Sequence, residues 1–503
     1  MPQKARKIAW KAQVRLCGRF RKLMARGKNK NNEVARKHPG SLVNISLYCS
    51  IILAISVSIM HYNVMFCTIQ INHSGQWLSI ARFTPYPDKL TLGYAGCGGV
   101  LEYDAQYVTD FLMGGNKLPF PRVSLPFPID FLAVRHERWP AFLLDLVPTG
   151  AGRRDWLDRL RLKENPGADW TLLTSGARHP VGWLRVVPGD GEQEQLDTGN
   201  SVGFTKTDVA AREQDFLEYM IEQGASVAGS SDVQGESPKL LLTEDQDGLL
   251  HADGALVDSH AQKHWLVKFA RRSTSLERQM LRNEYAYLRL ADAFYTNVHD
   301  AEGVQLIDGK ALFIPRFDRC RTESGVLRFG LESFASAAGV AEFGVRAHHE
   351  VHCRLIASYS TSPAEDMLEY LRRDILNVCM GNTDNHARNH AFIKKGAVVR
   401  LSPLYDFAPM FLSDEGYARV VRWEKDKERL GQPDWSAVGT SVAAMVAGPE
   451  PEQVAALFDS MAKNLSTIDA IATESGIDDE VIDRRRLTIN ENVHLLKKAA
   501  DKV

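Results

Sequence analysis

The sequence has no cysteine pair at CxxC spacing, and its seven cysteines are odd in number and widely spread. This pattern argues against a disulfide framework and a cysteine zinc site, and it favours reduced thiols in the cytoplasm. The chain also lacks a strong net charge, which is -1 at neutral pH. No global electrostatic field therefore attracts nucleic acid, and such a partner would need a local basic patch.

The N-terminal part departs from this balanced composition. Residues 1–40 are rich in lysine and arginine, and a charge-free run follows from Ser41 to Met60, about long enough to cross a bilayer as a helix. Serine and asparagine dilute this run, so a membrane span, a buried strand pair and a misread gene start all stay open. A basic arm that contacts RNA or DNA is a further alternative. We treat residues 1–68 as an extension without an assigned fold.

At 503 residues the chain exceeds one compact core, so two or three subdomains are expected. Short apolar runs broken by Gly and Pro predict a β-rich subdomain over residues 69–202. Residues 139–160 are a helical insert within it, for which packing or partner binding is favoured over catalysis. A helix is predicted over residues 207–223, with Thr207 or Asp208 as its N-cap.

A nucleotide-binding lobe is predicted over residues 203–320. A Gly/Ser-rich turn around Gly235 leads into a strand that begins near Lys239, and small residues there allow close approach to a phosphate. This turn matches neither a Walker loop nor the GxGxxG fingerprint, and alone it is weak evidence. In the run HWLVKFA, alternation buries Trp265 and Val267 and directs Lys268 to the other face. Lys268 is then either a solvated strand residue or a ligand for nucleotide phosphates.

The segment that follows offers a partner for this lysine. Residues 275–293 have the spacing of an amphipathic helix, and Glu284 in its middle is placed to pair with Lys268 when strand and helix pack. Residues 311–319 predict a strand that runs into a connection between two lobes. From Leu331 onward the pattern is largely helical, which gives a second lobe over residues 321–503.

Three polar residues in this second lobe are predicted to converge. A helix ends at Gly381, Asp384 lies in the loop after it, and the apolar runs 391–393 and 398–401 predict a hairpin that returns Asp406 opposite Asp384. Asp406 and Asn389 supply the oxygen ligands that Mg²⁺ prefers, and Asp384 can act as a general base. With Lys268 for the phosphates, the set predicts a two-lobed α+β phosphotransferase that uses ATP and Mg²⁺.

Several motifs in order resemble those of the HipA family of serine/threonine kinase toxins from bacterial toxin-antitoxin systems. The matching stretches include GESPKLLL, WLVKF, NEYAYLRLA, IPRFDR, GNTDNHARNHAF and SPLYDFAP. The sequences SSDVQGESPKLLLT and GNTDNHARNHAF are most similar to the HipH branch. The resemblance covers about Leu90 to the C-terminus. It implies a two-lobed kinase-like fold with a β-rich N-terminal subdomain.

The resemblance also implies a role for each matching residue. Asp384 would be the catalytic base, Asn389 and Asp406 the Mg²⁺ ligands, and Lys268 the ATP-phosphate lysine. The remaining nucleotide contacts would come from a phosphate loop and from a hinge beside the adenine: Gly235, Glu236, Ser237 and Lys239 in the loop, and Ile314, Arg316 and Phe317 in the hinge. The implied function is phosphorylation of a protein serine, in the family an aminoacyl-tRNA synthetase, under control of an antitoxin partner.

Two departures from the family pattern accompany this resemblance. Asp232 stands where HipA-like kinases have an autophosphorylated serine, with Ser230 and Ser231 just before it. Residues 1–68 show no helix-turn-helix, so DNA contact would be indirect or would require a missing N-terminal segment.

Other functions and roles stay open as alternatives. These are a nucleotide-binding pseudokinase or DNA-binding regulator, and a small-molecule phosphotransferase. His386 and His390 are spaced for zinc but lack a third ligand, so they more simply orient or solvate the loop. Asp300 and Asp318 have the character of solvated turn residues.

Overall fold

The computed structural model of the protein describes residues 65–114, 122–177, 181–189, 202–222, 238–270, 274–323, 325–413 and 418–503. Met65 to Val503 form one compact unit. Ser41 to Met60 lie outside the described residues, and the membrane prediction for them stays a prediction. Within the described part, no helix is both long and apolar enough to cross a membrane.

An antiparallel sheet of five strands forms the N-terminal part, as the sequence predicts. Its spatial order is β4-β3-β2-β1-β5, and the strands are β1 Cys67–His73, β2 Gln76–Pro85, β3 Gly99–Tyr103, β4 Val134–His136 and β5 Leu184–Pro188. Short helices cover the sheet: Gly93–Gly96, Ala105–Leu112, Gly150–Arg159 and Asp169–Gly176, with 3-10 turns at Pro87–Leu92, Ala141–Asp145 and Pro166–Ala168. The predicted insert packs here, since Trp139 contacts Phe83 and Phe142 is buried in the same core.

A second antiparallel sheet forms the predicted nucleotide lobe. Its order is β7-β6-β8-β10-β9, and the strands are β6 Lys239–Glu244, β7 Leu250–Ala252, β8 Lys263–Phe269, β9 Gln305–Ile307 and β10 Ala311–Pro315. One face buries Trp265 and Val267 with Phe313 in a common core, which confirms the alternation along β8. The Ser275–Ala293 helix follows β8 and has the bounds that its spacing predicts.

The helix predicted over residues 207–223 is two helices, Lys206–Ala211 and Gln214–Glu222. Arg212 between them has a left-handed backbone with φ 53°, which interrupts the helical turn. The N-cap is Thr205 rather than Thr207 or Asp208, because its hydroxyl accepts from the Asp208 backbone N–H while the Asp208 carboxylate accepts from the Thr205 N–H. The prediction placed a capping residue two or three positions too late.

The last part of the chain is mainly helical, as predicted, with small sheets inserted. The helices are Phe334–Ala337, His349–Tyr359, Pro363–Met380, Trp435–Ala443, Pro451–Ser466, Ile468–Ser475 and Asp479–Ala500, with a 3-10 turn at Met410–Leu412. Another 3-10 turn, Ala301–Gly303, precedes β9 in the second sheet. The remaining strands are β11 Arg319–Thr322, β12 Gly325–Arg328, β13 Gly330–Ser333, β14 Ala391–Lys395, β15 Val398–Leu401, β16 Glu428–Arg429 and β17 Gln432–Pro433. Leu331 belongs to β13, so the helical character begins slightly later than predicted.

The Pro363–Met380 helix lies in the middle of the largest hydrophobic core. Its Leu371, Ile375 and Cys379 are fully buried, together with side chains of the Ser275–Ala293, Pro451–Ser466 and Asp479–Ala500 helices. This burial holds the end of the helix at a fixed place, and the loop with Asp384 starts there. The predicted division into three subdomains after residue 68 stays a proposal.

Candidate active site

Lys268 is a buried cation in the middle of the second sheet. It lies on β8 with its side chain on the face opposite Trp265 and Val267, and only 4% of the residue is exposed. Its Nζ forms ion pairs with Glu284 of the Ser275–Ala293 helix and with Asp406 of the helical part. The predicted pairing with Glu284 is therefore present, and the alternative of a solvated strand lysine is wrong.

Asp406 joins the two halves of the site. One carboxylate oxygen, Oδ1, accepts from Lys268, and Oδ2 lies 3.5 Å from Nζ of Lys239 at the start of β6. Although burial would raise its pKa, the two ammonium groups hold the pKa of Asp406 well below its usual range. Burial would likewise lower the pKa of Lys268, but Asp406 and Glu284 raise it. Asp406 and Lys268 are therefore both charged near neutral pH.

The hairpin that returns Asp406 is formed as predicted. β14 and β15 pair in antiparallel fashion, with Phe392 opposite Leu401. Gly396 in the turn has φ 63°, a left-handed conformation that glycine adopts without strain. Asp406 itself has φ 51°, so the backbone is left-handed at the residue whose side chain contacts Lys239 and Lys268.

Gly381 ends the Pro363–Met380 helix and starts the loop that holds Asp384. Its φ is 71°, and a Cβ placed there would lie 2.6 Å from the Phe411 ring and 3.1 Å from Nε of Arg485. The same arginine donates to the carbonyl oxygens of Val378 and Cys379, which are acceptors left open at a helix C-terminus. The loop thus leaves the helix in one defined direction.

Asp384 and Asn389 lie within this loop and are linked to each other. Each is 7% exposed, and Asn389 Nδ2 donates to the Asp384 backbone carbonyl over 2.7 Å. That bond occupies the amide nitrogen and leaves the Asn389 side-chain oxygen for another ligand. His386 Nε2 lies 3.6 Å from Asp384 Oδ1, so His386 adjoins the proposed base.

Two hydrogen bonds connect the loop to the Asp406 segment. Asn382 Nδ2 donates to the Asp406 backbone carbonyl over 3.4 Å, and the Tyr405 hydroxyl donates to the Arg388 carbonyl over 2.8 Å. The two segments that carry Asp384 and Asp406 are therefore adjacent, as the hairpin prediction requires.

A cleft of about 1220 Å³, measured out to open solvent, lies between the second sheet and the Asp406 segment. Lys239, Lys268 and Asp406 form its charged end. Its walls are largely aliphatic, from Leu241, Leu266, Val298, Val304, Ile314 and Leu404. Such a cleft, apolar with few convergent charged groups, is typical of a small-ligand site. Ile314, Arg316 and Phe317 line it, whereas Asp384 and Asn389 lie outside its lining.

Comparison with known proteins decides the family. A model described as the HipA-like C-terminal domain matches residues 231–468. Y4mE of Sinorhizobium fredii, named as a candidate kinase, is 31% identical over 317 residues, 60% of this chain and 70% of that protein. The serine/threonine-protein kinase toxin HipA of Shewanella oneidensis is 26% identical over 344 residues, 63% of this chain and 74% of that protein. The chain belongs to the HipA family.

The fold agrees with this HipA assignment. The solved structure of Shewanella oneidensis HipA with HipB and operator DNA matches with a TM-score of 0.56 at 16% identity, over 86% of this chain and 96% of that chain. The predicted α+β, HipA-type kinase-like fold is confirmed. The closer assignment to the HipH branch stays a prediction.

The predicted HipA phosphate loop lies partly outside the described residues. Gly235, Glu236 and Ser237 lie outside the described residues, as does the stretch with Ser230, Ser231 and Asp232. Lys239 is the member of the predicted loop set that is described, and it reaches the charged end of the cleft. The roles of all predicted site residues stay proposals.

The side chain of Arg316, which is predicted to lie in the hinge, forms ion pairs within the protein. Its guanidinium is buried and pairs with Asp318 and Asp253, at 2.7 Å and 2.8 Å. Asp318 also accepts from Arg319 and from the Gly182 backbone N–H. Asp318 is 2% exposed, so its interpretation as a solvated turn residue is wrong. Asp300 is the one of the pair that is exposed, at a turn where it pairs with Lys263.

Replacement of Asp318 by asparagine is expected to lower the free energy of unfolding by about 3–5 kcal/mol, since one partner of a buried ion network is removed. Arg316 and Arg319 outweigh burial and hold the pKa of Asp318 well below its usual range. Its contribution is therefore complete near neutral pH and fades as pH falls from about 4 towards the folded-state pKa. Urea unfolding of wild type and variant at several pH values measures this.

Asp300→Asn is the matched control for this prediction, because a surface ion pair contributes about 0–1 kcal/mol. Equal free energies of unfolding of the Asp318→Asn and Asp300→Asn variants at pH 7 would contradict the predicted contribution of the buried ion network to stability.

The two loop histidines do not form a metal site. Within the described parts of the chain no group of three or more His, Cys, Asp or Glu side chains is arranged to hold a metal ion. His390 is buried among the rings of Phe334, His352 and Tyr370, so it packs the core and is not solvated. His386 lies beside Asp384, in keeping with the expectation that it orients the loop.

Sequence reasoning missed two charged residues of the cleft, Asp145 and Arg388. Arg388 directly precedes Asn389, which was a usable signal. Asp145 stands in the apolar run LLDLVP, where a lone carboxylate signals a buried partner. Nothing in the local pattern names that partner, because it lies more than two hundred residues away in the sequence.

Proposed function

We propose that this HipA-family protein is an ATP-dependent kinase that transfers the γ-phosphoryl group to a serine hydroxyl of a protein. The observation that carries the proposal is the linkage of Glu284, Lys268 and Asp406 across two lobes, at the charged end of an apolar cleft. Phosphoryl transfer depends mainly on holding phosphates, neutralising their charge and orienting the acceptor.

Lys268 and Lys239 would bind the phosphates. Both ammonium groups are buried and meet at Asp406, so their positions are fixed before a nucleotide arrives. Preorganised charges in a poorly solvated site are more effective than the same charges in water. Glu284 pairs with Lys268 from the helix side. The lysine would therefore keep its position when the nucleotide dissociates.

The side-chain oxygens of Asp406 and Asn389 are of the type that a hard divalent cation prefers. Asp406 would provide a carboxylate oxygen, and Asn389 would provide its amide oxygen, since its nitrogen is engaged by the Asp384 carbonyl. Bound there, Mg²⁺ would supply charge neutralisation on the phosphate oxygens.

Asp384 would orient the acceptor serine and take its proton. Its carboxylate stands in the loop whose backbone is tied to Asn389 and, through Asn382, to the Asp406 segment. A general base held this way contributes about 10²- to 10⁴-fold to the rate. The proton would pass from the serine hydroxyl to the carboxylate as the serine oxygen bonds to the γ-phosphorus and the bond from that phosphorus to the bridging oxygen of ADP breaks, so that ADP leaves.

The aliphatic walls of the cleft would receive the adenine ring. Ile314 and Phe317 flank the hinge, and the Phe317 ring lies 6.0 Å from that of Tyr405. The Arg316 guanidinium is engaged by Asp253 and Asp318, and its backbone N–H donates to the His264 carbonyl over 2.9 Å. Arg316 would therefore serve the nucleotide through its backbone carbonyl.

The biological role that we propose is that of a toxin kept in check by an antitoxin. The Shewanella oneidensis relative is named a kinase toxin and was solved with HipB and operator DNA, which supports an antitoxin partner and indirect DNA contact here. An aminoacyl-tRNA synthetase is the proposed substrate, and a cytoplasmic location follows from that role. The presence of Lys268, Asp384, Asn389 and Asp406 together favours a working kinase over a pseudokinase.

Phosphoproteomics after expression of wild type and Asp384→Asn tests the class of acceptor. We expect serine phosphorylation on one or a few proteins with wild type alone. Purified wild type with labelled ATP and Mg²⁺ should transfer label to the same proteins. Label that appears only on small molecules would instead support a small-molecule phosphotransferase, and ATP binding without transfer would support a pseudokinase.

A further inference from the structure

A charged contact joins the N-terminal sheet subdomain to the loop of the proposed active site. Arg388, which lies between Asp384 and Asn389 in the loop, places its Nη1 against Oδ1 of Asp145. Asp145 is the last residue of the 3-10 turn Ala141–Asp145. The other residues of this turn, among them Phe142, Leu143 and Leu144, are buried in the N-terminal core. The carboxylate therefore belongs to a rigid part of a different subdomain.

Both residues of this contact have further partners that hold their side chains in place. The Asp145 carboxylate also accepts from the Ser333 backbone N–H over 2.9 Å and from the Ser333 hydroxyl over 2.7 Å. The Arg388 guanidinium stacks over the Phe343 ring at 4.7 Å, and its Nη2 donates to the Val340 carbonyl over 3.4 Å. Arg388 is 5% exposed, so it is held in one place rather than extended into solvent.

The backbone at Arg388 is connected directly to the catalytic groups. The Arg388 carbonyl accepts from the Tyr405 hydroxyl, and Tyr405 adjoins Asp406. Asn389 follows Arg388, and its amide is bonded to the Asp384 carbonyl. A shift of Arg388 would thus move the proposed metal ligand Asn389, the loop of Asp384 and the segment of Asp406 together.

We propose that Asp145 is a positioning residue, which sets the proposed metal ligand Asn389 and the base Asp384 by holding Arg388. The proposal rests on the kinase function proposed above. It assigns the N-terminal subdomain a part in phosphoryl transfer although Asp145 need not touch the reacting atoms.

The expected size of the effect follows from comparable supports in metal sites. Residues that orient a metal ligand change metal affinity or activity by about 10- to 100-fold when they are replaced. Asp145→Asn keeps the shape of the side chain and removes the charge that Arg388 requires. Burial raises the pKa of Asp145 despite Arg388, so this carboxylate is a costly buried charge that depends on its partner.

The test measures Mn²⁺ affinity in the presence of a non-hydrolysable ATP analogue, nucleotide affinity without metal, and kcat with ATP. For Asp145→Asn we expect metal affinity and kcat to fall about 10- to 100-fold. Because Asp145 lines the cleft, nucleotide affinity without metal should change as well, but by less than metal affinity. Arg388→Lys, which keeps the cation but loses the planar fork, should shift the same two quantities. Thermal unfolding shows that each variant is folded at the assay temperature.

Glu332→Gln is the matched control, since Glu332 also joins the two subdomains without touching the loop. It is buried, pairs with Lys394 at 2.9 Å, and accepts from Ser124 and from the Leu125 backbone N–H. We expect this variant to be less stable but to keep the wild-type metal affinity and kcat.

Wild-type metal affinity in Asp145→Asn and Arg388→Lys would overturn the positioning role, as would equal losses in Glu332→Gln. Wild type without any phosphoryl transfer would instead overturn the proposed function, and the Mn²⁺ measurement would still decide the role of Asp145.

Discussion

Asp384→Asn is expected to reduce phosphoryl transfer by about 10²- to 10⁴-fold, the usual contribution of a positioned general base. Asparagine has nearly the same shape as aspartate, so the hydrogen bond from Asn389 to the backbone carbonyl of residue 384 should remain. Nucleotide affinity should change little because Asp384 does not line the cleft. Single-turnover transfer of labelled phosphate to the protein substrate measures the rate.

Asp308→Asn provides the comparison for this prediction. Asp308 lies in the exposed turn between β9 and β10 with φ 51°, a conformation that asparagine tolerates. That variant should transfer phosphate at the wild-type rate. If Asp384→Asn also transferred at the wild-type rate, Asp384 would not be the base.

Lys268→Met should weaken both nucleotide binding and the fold. Methionine fills a similar volume but leaves the carboxylates of Glu284 and Asp406 without their shared buried cation. Removal of one partner from a buried ion pair typically costs about 3–5 kcal/mol. We therefore expect a lower free energy of unfolding, a large loss of nucleotide affinity and no measurable transfer. Urea unfolding and nucleotide titration at a temperature where the variant stays folded measure these effects.

The same substitution on the same strand gives a control. Lys263 begins β8 and pairs with Asp300 at the surface, with 37% of its side chain exposed. Lys263→Met should change stability by about 1 kcal/mol at most and leave nucleotide binding intact. Nucleotide affinity that is equal in Lys268→Met and wild type would remove Lys268 from the phosphate site.

The parts of the site that sequence reasoning predicted are those encoded by local patterns. Alternation along β8 gave the face of Lys268, helical spacing gave Glu284, and the turn at Gly396 gave the return of Asp406. Each pattern extends over fewer than about twenty residues, so it can be recognised from the local sequence without knowledge of the remaining chain.

Errors arose where distant residues decide the environment. Asp318 has the local character of a turn residue, but Gly182, far away in the sequence, donates to it and covers it. The break at Arg212 depends on one left-handed residue that no propensity marks. The capping box of Thr205 and Asp208, by contrast, was visible in the sequence as a polar residue followed by an acid three positions later.

Gly381 shows how a residue without a side chain can control a reaction that it never touches. The Phe411 ring and Arg485 occupy the space where a Cβ would lie, and the backbone there is left-handed. Any other residue would have to redirect the chain just before Asp384 or displace the ring. In a saturation-mutagenesis experiment position 381 would therefore tolerate as few replacements as a catalytic residue, although its requirement is one of chain direction and not of chemistry.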